Sequence, residues 1–95
     1  MILEGSFTAP GQSAVVGIRH GSFKLAIWGT FDGAITLENA PDGTNYVPAD
    51  DAITAPGTWN GNEVAGQASG SETPYRLNAG ALSSGEAFYR LEQAS

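Results

Sequence analysis

The chain has 95 residues, 41% of them hydrophobic and only 15% charged, which fits one domain and excludes a charge-rich disordered tail or a membrane-spanning chain. Ten acidic residues against four basic ones give −6 at pH 7, so nucleic acid is not expected as a partner. With no cysteine, disulfides, thiol catalysis and cysteine-bound zinc are excluded.

Met1-Ile2-Leu3 is apolar but is followed at once by Glu4 and Gly5. That is too short for the apolar region of a signal peptide, and no run approaches a membrane helix. The expectation is synthesis in a cytoplasm, the protein staying there or leaving by cell lysis. Thirteen glycines and five prolines are scattered along the chain, and no long stretch repeats apolar residues at a helical period. Short β-branched or aromatic runs between Gly, Pro, Asn and Asp clusters predict an all-β fold. The expected architecture is a single small antiparallel β-sandwich over 1–95, Ig-like or jelly-roll-like, with seven to eight short strands.

The first predicted strand covers Leu3–Thr8 and stops at Ala9-Pro10-Gly11. The second covers Ser13–Arg19 and the third Phe23–Gly29. Phe23, Leu25 and Ile27 alternate there with Lys24, Ala26 and Trp28, so the first set faces inward and Trp28 outward. Phe31-Asp32-Gly33 predicts a hairpin turn, because Asp-Gly suits positive φ. A fourth strand follows over Ala34–Asn39, with Ile35 and Leu37 inward. Pro41-Asp42-Gly43-Thr44 is the strongest turn signal, and Pro48 marks the returning strand Asn45–Ala49 as an edge. Trp59–Ala65 reads as a sixth strand and Gly66–Pro74 as a long loop or flap. Tyr75–Ala79 and Ala87–Gln93 complete the set. Their shared Tyr-Arg-Leu triplets predict cross-strand partners with Tyr and Leu on one face and Arg on the other.

Catalytic groups are scarce. A single histidine, His20, cannot build a multi-histidine metal site, and no Gly-x-Ser-x-Gly elbow accompanies it. No enzyme activity and no cofactor are expected. Asp50-Asp51 and Asp42-Gly43-Thr44-Asn45 lack the spacing of a calcium loop and read as turn chemistry. Arg19, His20 and Lys24 lie close together in the sequence and read as a solvated turn and strand start or as a docking spot for an acidic partner surface. Trp28 and Trp59 suit the ends of a sandwich, a protein interface or a sugar-stacking platform.

Three blocks carry a resemblance: Gly29–Leu37 with Pro41–Pro48, Tyr75–Gly80, and Ser83-Ser84-Gly85 with Tyr89-Arg90-Leu91. They resemble small β-sandwich virion structural proteins of tailed bacteriophages, over roughly Phe23 to Gln93. The resemblance implies a virion component, and for a small acidic domain a capsid decoration or cement protein on the outer surface of the head. Its implied partner is the major capsid protein of the same phage, with a homo-oligomer such as a trimer compatible. Met1, Ile2 and Leu3 are then expected to anchor, as part of an N-terminal arm over 1–10. Arg19 and Lys24 are expected to pair with acidic shell groups, and Trp59 to fill an interfacial pocket. Alternative readings are a carbohydrate- or host-surface-binding module of a tail fibre or spike, and a head–tail connector or tail component.

Overall fold

The computed structural model describes residues 2–19, 21–63 and 72–93. These residues form eight strands: β1 Ile2–Phe7, β2 Val16–Arg19, β3 Gly21–Asp32, β4 Thr36–Asn39, β5 Val47–Pro48, β6 Gly57–Glu63, β7 Glu72–Asn78 and β8 Ser84–Glu92. They build two antiparallel sheets of four, ordered β1-β8-β3-β6 (sheet A) and β2-β7-β4-β5 (sheet B). The pairs β1–β8, β2–β7, β3–β6 and β4–β5 nest like one long hairpin folded over itself, and β3–β8 and β4–β7 close each sheet. That connectivity is the jelly roll, and it decides between the two sandwich types expected.

Alternation along each strand sorts the residues between core and outside. Phe23, Leu25 and Ile27 of β3 face Leu37, Tyr75 and Leu77 of sheet B, and all six are buried. Ile35 and Leu37 point inward and Trp28 outward as expected, and β5 with Pro48 is an edge strand of sheet B.

The two inferences about strand pairing are overturned. Asp32-Gly33 does not close a hairpin, because β3 and β4 belong to opposite sheets. Gly33 has φ 139° and turns the chain across the end of the sandwich, against the backbone of Ala81 and Leu82. The two Tyr-Arg-Leu strands are likewise not sheet neighbours. β7 and β8 face each other across the core, with Tyr75, Leu77, Tyr89 and Leu91 all buried. Of the expected flap Gly66–Pro74, residues 66–71 lie outside the described residues, and Glu72, Thr73 and Pro74 belong to β7.

The corners are tied by specific bonds. The backbone N–H of Ser13 donates to Leu77 O at 2.8 Å and that of Ala79 to Gly11 O at 2.7 Å, fastening the β1–β2 connection to β7. The side-chain amide of Gln93 accepts from Arg19 N–H and donates to Arg19 O, both at 2.8 Å. It thereby fixes the end of β8 to the β2–β3 corner.

Candidate functional site

Two regions gather side chains that the core does not consume. The first is the outer face of sheet A. Register places Trp28 beside Phe88, and their rings stack 5.9 Å apart with 15° between planes. Trp28 remains 45% exposed. Beside this aromatic row lies Ala26–Arg90–Glu4, and beside that Lys24–Glu92–Ile2. Arg90 reaches Glu4 at 3.8 Å and Glu92 at 3.4 Å. Exposed pairs of this kind add little stability, but they set charge of both signs on one side of the rings. Ile2, 55% exposed, is a second apolar group on the same face.

The second region is a cleft along the open side of the sandwich, where edge strand β6 of sheet A approaches the segment that follows edge strand β5 of sheet B. Two adjoining cavities of about 310 and 320 Å³ share Leu25, Leu37, Asp50 and Trp59. One continues to Phe23, Asn39, Tyr75 and Asn60, the other to Ile53, Thr54 and Pro56. The inner face of β6 reads Gly57-x-Trp59-x-Gly61, and both glycines leave room for rings. A Cβ on Gly57 would lie 3.0 Å from the Trp59 indole, and one on Gly61 2.6 Å from the Phe23 ring. The indole therefore lies along β6 over Gly57, and Phe23 covers Gly61. The opposite wall, 49–56, is held at two points. Ala49 N–H donates to Leu37 O at 2.8 Å, and Ile35 and Ile53 exchange backbone bonds of 2.9 and 2.7 Å. Asp50 Oδ1 accepts the Asp51 N–H at 2.8 Å, which orients its carboxylate at the rim.

The residues singled out from the sequence do not form one site. Ile2 and Lys24 share a row on the outer face of sheet A. Leu3 turns to the opposite, inner face and packs half-buried against the core. Ile2–Phe7, within the segment expected as an anchoring arm, pairs along its length with β8 as an edge strand. Arg19 sits in sheet B, 3.4 Å from Glu72, so it and Lys24 lie in different sheets. Trp59 lines the cleft. Met1 and His20 lie outside the described residues.

A third constellation holds the fold. On the outer face of sheet B, Arg76 Nε donates to Glu38 Oε1 at 2.8 Å, and Asn78 Nδ2 donates to Glu38 Oε2 at 3.2 Å. The Arg76 guanidinium lies 3.9 Å from the centre of the Tyr46 ring, a cation–π contact. In the β4–β5 turn, Asp42 Oδ1 accepts the N–H groups of Thr44 and Asn45 at 2.8 Å, and Oδ2 accepts Asn45 Nδ2 at 2.7 Å. These bonds, led by the Asn45 N–H, hold the Asp42 carboxyl at about 2, below its usual 3.8. Burial pushes the Tyr89 phenol above its usual value. Among the described residues, no group of three or more His, Asp or Glu side chains is placed to hold a metal ion.

Phe88, Phe23, Asn39 and Tyr75 carry no local signal marking them as site residues, since each is brought in by pairing or packing over a long sequence distance, and Asp50 stands out in the sequence only as turn chemistry. No protein-family model, no curated protein and no solved structure matches this chain.

Proposed function

We propose that this protein is a capsid decoration protein of a tailed bacteriophage, seated on the outer surface of the head and bridging neighbouring major capsid subunits. The observation that carries the reading is the exposed Trp28–Phe88 stack on the outer face of sheet A, with Ile2 and Lys24 on the same face. Trp and Phe beside an Arg are residue types enriched at protein interfaces, Trp and Arg above all at their hot spots. Two further features support it. The sequence blocks resemble virion proteins of this kind, and the jelly roll is an architecture used in viral capsids, although fold alone assigns no function. A protein that binds only the expanded shell stabilises that state by mass action.

The test is sedimentation with purified, expanded, undecorated heads. The wild-type chain is expected to co-sediment to saturation, and Trp28→Ala to lose affinity by about tenfold or more, the scale of one hot-spot residue. Lys24→Ala is expected to flatten the salt dependence of binding. Equal binding by wild type and both variants would overturn the assignment of this face. Retention on host cells or glycans, without binding to heads, would favour the tail-fibre reading.

A further inference from the structure

We infer that the cleft around Trp59 binds an uncharged disaccharide, one sugar ring in each of the two cavities that meet at the indole. This goes beyond capsid attachment and uses a different surface, since the Trp28–Phe88 stack lies on the outer face of sheet A while Trp59 belongs to its inner face.

Four observations carry it. The cleft is built from the inside: glycines at 57 and 61 leave the space in which Trp59 and Phe23 lie against β6. Trp59 is only partly buried, and an indole face left open in this way stacks on the C–H face of a sugar ring. Its wall is fastened, because Ala49 and Ile53 are bonded to β4 and its approach, so the shape exists before any ligand arrives and little ordering is needed on binding. Its polar groups suit hydroxyls. Asp50 offers carboxylate acceptors, and Asn39 and Asn60 line the same cavity as amides that both donate and accept. Its size fits: cavities of about 310 and 320 Å³ meeting at Trp59 fall at the small end of ligand sites.

Charge chooses among ligands of this size. Among the described residues, the charged ones lining either cavity are Asp50 and Asp51, on a chain of net charge −6, so a uronic or sialic acid is repelled. A purely apolar ligand would leave the free acceptor positions of Asp50 and the amides of Asn39 and Asn60 without a ligand partner. A neutral sugar satisfies both conditions.

The experiment is an NMR titration of the full-length ¹⁵N-labelled chain, without capsids. The probes are lactose, cellobiose and N,N′-diacetylchitobiose, with glucuronic acid and indole as the acidic and apolar controls. At least one neutral disaccharide is expected to shift the Trp59 indole N–H and the Asn39, Asp50 and Gly61 amides saturably, leaving the Trp28 indole N–H unmoved. Asp50→Asn leaves an exposed position uncrowded and is expected to weaken that binding by about tenfold, the loss of one charge-assisted hydrogen bond. Trp59→Ala is expected to abolish it, and Asp50→Asn decides the matter if removing the indole loosens the fold. The inference is overturned if no neutral disaccharide saturates these signals. It is equally overturned if Asp50→Asn binds like wild type, or if glucuronic acid or indole binds more tightly than every disaccharide. Because no head is present, failure here leaves the decoration reading untouched.

Discussion

The carboxylate of Asp42 accepts three hydrogen bonds within its own turn, and this has a measurable pH signature. Its folded value of about 2 lies below the usual 3.8, so the turn favours the ionised form. The resulting stability is fully present above pH 3.8 and is lost as pH falls through about 2. A carbon-detected titration of the Asp42 side chain is expected to give a midpoint near 2, and a midpoint at 3.8 would show that these bonds do not persist in solution. Glu38 makes a second local case. It takes both Arg76 and Asn78, and its side chain is only 13% exposed. Glu38→Ala would leave a half-buried guanidinium without its carboxylate, and a loss of about 1–3 kcal/mol in urea unfolding is expected. The Asp42 turn is legible in the sequence, because Pro-Asp-Gly is a local signal and all its bonds span three residues or fewer. The Glu38 cluster is not, since its partners lie 38 and 40 positions away.

Strand identity follows from alternation, and strand pairing does not. β3 shows this most directly: Phe23, Leu25 and Ile27 are separable from Lys24 and Trp28 by reading every second residue, and the structure buries that set. The same local pattern is silent on which sheet the next strand joins. In a jelly roll the chain crosses between sheets at most turns, so Asp32-Gly33 serves as a corner although its residues suit a hairpin equally well. The corner makes a demand that a hairpin would not. At φ 139° the backbone lies in a region open essentially to glycine, and a Cβ would meet Ala81 and Leu82 backbone atoms. Gly33→Ala is therefore expected to destabilise by about 1–3 kcal/mol or more in thermal or urea melts, and an unchanged midpoint would contradict the corner geometry. β1 makes a different contribution. Phe7 is buried at the end of an edge strand with its ring 5.0 Å from Tyr89. Phe7→Ala is expected to cost about 3–5 kcal/mol, which tests whether β1 is an integral part of the sandwich.

At the scale of the whole molecule, the jelly roll separates two surfaces with different chemistry. Sheet A presents a paired aromatic row outward, while its edge β6 opens a polar, aromatic-floored cleft toward sheet B. Neither is visible in the sequence as a unit. The two tryptophans stand out because Trp is rare and large, but their partners Phe88 and Phe23 are assigned only by register and packing. The acidic surplus spread over this frame discourages phosphate and acidic ligands. On the outer face of sheet A the cationic groups Lys24 and Arg90 stand among Glu4 and Glu92, so that face carries both signs of charge.

The central claim, capsid decoration, is tested most directly by heating purified expanded heads with and without the protein while counting bound copies. Saturation at a fixed ratio to the major capsid subunit, together with a higher disruption temperature for decorated heads, is the expected result, because a ligand of one shell state shifts that state's stability. Heads that bind no saturable amount of the protein and break at the same temperature in its presence would contradict the claim.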